Sequence, residues 1–83
     1  MEKTIYSKGY LTLIERLRNA REKLDLSQTE LADRMGQSQS FVSKSERGER
    51  RIDIVELHAF CDALDIPFVP FIAEIEKMFG SKK

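Results

Sequence analysis

Eighty-three residues, 41% of them hydrophobic and with only four glycines and two prolines, are enough for one modest core and argue against disorder. No run of apolar residues is long enough to span a bilayer, the opening "MEKTIYSKGY" is too polar for a signal peptide, and a single cysteine cannot form an internal disulfide. The expectation is a cytoplasmic protein of one domain, residues 1–83, with no membrane partner. Net charge is zero, which is unusual for a nucleic-acid binder, but it is unevenly spread. Residues 1–51 carry 11 Lys/Arg against 8 Asp/Glu, residues 52–76 carry 6 acids and no Lys/Arg, and the tail from 77 returns three lysines. A basic front and an acidic back give a local field that total charge conceals.

The apolar spacing is helical throughout, and strand alternation never persists. The first helix is predicted from Ser7 or Tyr10 to Leu24, with Tyr10, Leu13, Ile14, Leu17, Ala20 and Leu24 on one stripe. The second opens at Ser27, where Glu30 completes a capping box, buries Leu31, Ala32 and Met35, and stops at Gly36. The third opens at Ser38, points Val42 inward, and runs to about Arg47 before Gly48. The fourth opens at Asp53 with Glu56 completing the box and Ile52 stapled to Leu57. Its predicted inner face is Val55, Leu57, Phe60, Cys61 and Leu64, and "DIP", Asp65 to Pro67, is expected to stop it, since proline disfavours helix in the residue before it. A fifth is predicted with Pro70 near its first position, carrying Phe71, Ile72, Ile75, Met78 and Phe79 before Gly80 and a frayed tail. Together these make a compact all-α domain of five helices.

Two helices joined by a short glycine-containing turn are a helix-turn-helix pattern, with its core at residues 27–48. The spacing alone is weak evidence. The outward side of the third helix sharpens it: Gln39, Ser40, Ser43, Lys44 and Arg47 follow the cap Ser38. Short polar side chains let a helix backbone come close to base edges. Glutamine can bond an adenine edge bidentately, lysine suits guanine, and serine serves either. By composition alone the same row can also be plain solvated surface.

Residues 11–66 resemble the Cro/lambda-repressor-like helix-turn-helix domains of the XRE family. The "LSQTELA" start, the "MG" turn, the "SQSFVSKSERGER" helix and the "FCDALDI" end of the fourth helix fall in the family's register. The resemblance implies double-stranded DNA as the partner and Gln28 as a phosphate clamp at the start of the second helix. It implies that Ser38, Gln39, Ser40, Ser43 and Lys44 face base edges or nearby phosphates. Arg47, Arg50 and Arg51 would add phosphate contacts. It also implies a structural ion pair, Arg21–Glu46, between the first and third helices. Family members commonly bind as two-fold dimers on palindromic half-sites about 34 Å apart. One departure is Ser45, which stands where the family usually has a large apolar residue. Phe41 beside it can fold over the core edge or reach a thymine methyl, and the sequence leaves both open.

His58 and Cys61 share a helical face, but a zinc site needs three or four ligands and no other His or Cys exists. No metal, cofactor or catalytic constellation is expected. The apolar load of the last segment exceeds what one small core needs. A homodimer through Phe68, Phe71, Ile72, Ile75, Met78 and Phe79 is therefore expected, with glutamate at Phe71 and Ile75 expected to give monomers. The expected function is sequence-specific DNA binding by a transcriptional regulator, most simply a repressor. The alternative is a protein-interaction module on the same fold, such as an antitoxin or bridging factor docking through the C-terminal helix.

Overall fold

Helix ends, set by local chemistry, lay out this chain. The structure, a computed structural model, describes residues 7–79. Its helices are α1 (Lys8–Lys23), α2 (Gln28–Met35), α3 (Gln39–Glu46), α4 (Ile54–Ala63) and α5 (Phe68–Met78), and no other kind of regular element occurs among the described residues. Ser7, Ser27, Ser38 and Asp53 each cap a helix by accepting a backbone N–H through the side chain. Both expected capping boxes form: Ser27 with Glu30, and Asp53 with Glu56. Each satisfies two N–H groups that the helix cannot pair itself.

Four helices stop by one device. A residue in the left-handed region turns the chain, and the next N–H reaches a carbonyl five residues back. Gly36 and Gly48 serve after α2 and α3, at φ 69° and 76°. The closing bonds are Gln37 N–H to Ala32 O at 2.9 Å and Glu49 N–H to Lys44 O at 2.9 Å. After α1 and α4 the residue is aspartate, Asp25 and Asp65, both at φ 60°. There Leu26 closes on Arg21 at 3.1 Å and Ile66 on Cys61 at 2.8 Å. Thus α4 ends within the "DIP" stretch expected to stop it, but through the αL aspartate Asp65 and not through the proline.

Leu13 and Leu17 of α1, Leu31 and Ala32 of α2, Val42 of α3, and Leu57, Phe60 and Cys61 of α4 share one core with Leu64, Phe71 and Ile75. In it α2 packs on α3 and α4, and α1 packs on α3 and α5. Two expected inward residues face outward. Leu24 is exposed, because Asp25 swings the chain round and Leu26 packs on the core instead. Val55 is exposed, because at 100° per residue it lies about 200° around α4 from Leu57.

The fifth helix needs two corrections. It starts at Phe68, so Pro70 is its third residue and Pro67 its N-cap. Proline is harmless there because the first four N–H groups of a helix have no partner within it. More consequentially, Phe71 and Ile75 are buried in the chain's own core and do not form a free face. Glutamate at either position would unfold the protein rather than dissociate a dimer. Phe68 and Ile72 are half-buried, while Val69, Met78 and Phe79 are exposed. Phe79 lies against the first turn of α1, so close that a Cβ on Gly9 would come within 2.7 Å of its ring. Arg16 and Glu74 tie α1 to α5 at 2.7 Å. The expected stop at Gly80, the tail beyond it and the polar start "MEKTIY" lie outside the described residues.

Candidate nucleic-acid interface

The α2–turn–α3 unit rests on three supports: Val42 buried beneath it, Gly36 turning between its two helices and Ser45 under its last turn. Ser45 is fully buried, and its hydroxyl donates to the Phe41 carbonyl at 2.7 Å, so the serine costs no unsatisfied group. The volume left by a small side chain there is bordered by Phe41. The Phe41 ring stacks on Phe60 at 5.9 Å between centroids and 18° between planes. The Arg50 guanidinium lies over the Phe41 ring at 4.4 Å. Phe41 is therefore packed, which decides the question its sequence left open.

Arg50 is thereby tied into the fold. It donates to both carboxylate oxygens of Glu56, at 3.2 and 2.9 Å, while stacked on Phe41. That pairing, with the Asp53 N–H bond behind it, holds the Glu56 carboxyl below the usual carboxylate range. The expected phosphate contact from Arg50 is not what this geometry presents. Tyr10 fastens the same loop to α1: its hydroxyl donates to the Arg50 carbonyl at 3.3 Å and accepts from the Ile52 N–H at 3.0 Å.

The expected Arg21–Glu46 pair forms. Arg21 Nε donates to Glu46 Oε2 at 2.7 Å and Nη2 donates to Oε1 at 3.0 Å. Its third nitrogen, Nη1, donates to the Leu26 carbonyl at 2.7 Å. The hydrogen bond to Glu46 raises the arginine's already high pKa against the opposing cost of burial. From Glu46 the chain of bonds continues outward: Gln28 Nε2 donates to Glu46 Oε1 at 3.0 Å, and Gln39 Nε2 donates to Gln28 Oε1 at 2.8 Å. A carboxylate only accepts, so Glu46 dictates which way both amides point. Gln39 is left with its carbonyl oxygen and one amide hydrogen free of this chain of bonds. The sequence marks Arg21–Glu46 as a pair and Gln28 and Gln39 as separate contacts, but not that the four form one line.

Ser38, Gln39, Ser40 and Lys44 are exposed on α3 as expected. Ser43 is not: it is only 9% exposed and its hydroxyl accepts from Arg47 Nη1. The rest of the Arg47 guanidinium is held by Glu49, with Nε to Oε2 at 2.8 Å and Nη2 to Oε1 at 3.1 Å. Beside Arg47 the Glu49 carboxyl falls below its ordinary range. Arg51 is exposed and lines a cleft of about 780 Å³ with Tyr10, Ile52, Met78 and Phe79. Among the described residues no cluster of His, Cys, Asp and Glu can hold a metal. Cys61 is buried, and burial pushes its thiol up to about 11, so it behaves as a small core hydrophobe. No described helix is long and apolar enough to cross a membrane.

Comparison with known proteins agrees with this geometry. A helix-turn-helix family profile matches residues 17–71. The chain is 36% identical over 63 residues to an uncharacterized transcriptional regulator in the ATPase CF(0) region of Rhodospirillum rubrum, covering 76% of this chain and 58% of that protein. This chain thus spans little more than half the length of that relative. Among solved structures, an XRE-family-like protein from Pseudomonas syringae pv. tomato str. DC3000 is 39% identical with a TM-score of 0.83, over 90% of this chain and 92% of that one. A point variant of the restriction–modification controller protein C.Esp1396I shares the fold, with a TM-score of 0.72 at 23% identity over the whole of both chains. The chain belongs to the XRE-like helix-turn-helix family, a family of DNA-binding regulators.

Proposed function

We propose that the chain binds duplex DNA sequence-specifically, with α3 in the major groove, and regulates transcription as a repressor by occupying its operator. The observation that carries this reading is the exposed row of short polar side chains on α3, with Gln39 held in a fixed amide orientation through Gln28 and Glu46. The free carbonyl and amide hydrogen of Gln39 match the donor and acceptor of an adenine edge, and Lys44 one turn on suits guanine. Gln28 at the start of α2 and Arg47 at the end of α3 lie where backbone phosphates would flank the helix. The proposal needs no cofactor and no catalytic step. The test is selection of bound sequences from random duplexes at about 0.1 M salt, with the Gln39→Ala/Lys44→Ala double variant as control. Enrichment that the double variant loses supports direct readout; no enrichment by the folded wild-type chain refutes it.

The operator is proposed to be palindromic and the protein a homodimer. The surface for that is narrower than the sequence implied, because Phe71 and Ile75 are spent on the core. The support is the exposed end of α5, Met78 and Phe79, beside the open cleft lined by Tyr10, Ile52 and Arg51. Met78→Glu/Phe79→Glu should halve the mass measured by light scattering while leaving the helical signal intact. A wild-type chain that is already monomeric, or a dimer that survives the change, refutes this surface. The same exposed end supports the second reading, a protein-interaction module. A stoichiometric partner lost on Phe79→Glu would favour it over a homodimer.

A further inference from the structure

The end of α3 holds an arrangement that DNA binding as proposed does not require. Gly48 takes the left-handed conformation at φ 76°, and Glu49 N–H closes back onto the Lys44 carbonyl. This reversal brings the Glu49 side chain alongside Arg47, two residues earlier in sequence, where it engages the guanidinium in a two-pronged carboxylate bond. The third nitrogen, Nη1, rests on the Ser43 hydroxyl. All three guanidinium nitrogens are thus occupied within the chain. Ser43, which shares α3 with Gln39, Ser40 and Lys44, is left only 9% exposed.

A carboxylate offers an arginine the same pair of parallel acceptors that a phosphate does. We propose that Glu49 is an internal competitor for the phosphate site of Arg47, so that duplex binding exchanges the Glu49 carboxylate for a backbone phosphate and releases Arg47 from over Ser43. This rests on the reading of α3 as the DNA-facing helix and adds a residue that tunes it. The pair is built to be exchanged. Both side chains are 53% exposed, where an ion pair is screened and weak and nothing in the core depends on it. Lys44, the neighbouring cation of the face, adds to the charge field that favours the ionised Glu49. The consequence is a protein whose recognition helix carries less free positive charge than its sequence suggests. Random contacts with polyanions are discouraged, and Ser43 becomes available to a base edge only when Arg47 has moved.

Four chains test this: wild type, Glu49→Gln, Arg47→Ala and the double variant, titrated by fluorescence anisotropy against a selected duplex across a range of salt. Glu49→Gln should bind about two- to fivefold tighter than wild type, the factor expected for one exposed ion pair. That gain should vanish when Arg47 is already alanine. Arg47→Ala should lower the slope of log affinity against log salt by about 0.9, the loss of one phosphate contact. Equal gain from Glu49→Gln in both backgrounds would mean that Glu49 acts only through the general field, and overturns the competitor. No gain in the wild-type background overturns it too. Failure of all four folded chains to bind any duplex overturns the DNA reading and the competitor with it.

Discussion

Helix α3 ends between two ion pairs, in each of which an arginine is gripped by both oxygens of one glutamate. In the inner pair Arg21 and Glu46 have side chains 11% and 5% exposed. In the outer pair Arg47 and Glu49 are each 53% exposed. The bond lengths are nearly the same, 2.7 and 3.0 Å inside against 2.8 and 3.1 Å outside. Geometry therefore does not separate them; surroundings do. An ion pair shielded from water cannot lose one member without stranding the other, so it becomes part of the fold. One in water gives up little when it opens, so its members remain available to another charge. Arg50 and Glu56, at 32% and 25%, stand between the two and are tied to the fold by the Phe41 ring.

This ordering can be broken or sharpened by substitution. Arg21→Ala should have the largest effect, because it strands Glu46 and the Leu26 carbonyl together. A loss of about 2–3 kcal/mol is expected, a fall of roughly 10–20 °C in the thermal midpoint of a domain this size. An unchanged midpoint would mean that α3 is not held by this pair. Arg50→Ala should cost about 1 kcal/mol through loss of the stacked guanidinium and its bond to Glu56. Asp25→Gly or Asp65→Gly should stabilise by about 0.5 kcal/mol, since both aspartates occupy a conformation that glycine adopts without penalty. Calorimetry on the single variants measures each of these.

The pH dependence is expected to be smaller. The folded pKa of Glu56 is depressed by Arg50, so its contribution to stability is complete above the ordinary glutamate value. It is lost as pH falls through the depressed folded value. Glu56→Gln should therefore narrow the gap to wild type as the solution is acidified, read from urea midpoints at pH 7 and below pH 4. A gap that widened in acid would contradict the assignment. Smallest of all, Glu49→Gln should leave the thermal midpoint unchanged, although it is expected to alter binding to DNA.

Much of this was readable in the sequence where a local rule suffices. Both capping boxes, the N-cap Ser38, and the stops at Gly36 and Gly48 follow from residue type and spacing, while the Arg21–Glu46 pair came through the family resemblance. The αL aspartates were missed because aspartate adopts that conformation far less often than glycine does, so the residue type alone does not mark it. The repeated "LDL" and "LDI" at the two helix ends was the available signal. The pairing of Arg50 was not legible, because its partners depend on where Phe41 and Glu56 arrive in space. Phe71 and Ile75 were misassigned for a similar reason. An apolar stripe shows that a helix face will be covered, but not whether its own chain or another covers it.

The most direct test of the account is a map of backbone amide shifts on adding a selected duplex to the isotopically labelled protein. The account predicts perturbations at Ser38 to Lys44 and at Gln28, with the Arg47 Nε signal moving as Glu49 is displaced, and little change along α5. Shifts confined to the Met78–Phe79 end and the cleft beside Tyr10, with α3 undisturbed, would contradict it. They would mean that the duplex meets that end of the molecule and not α3.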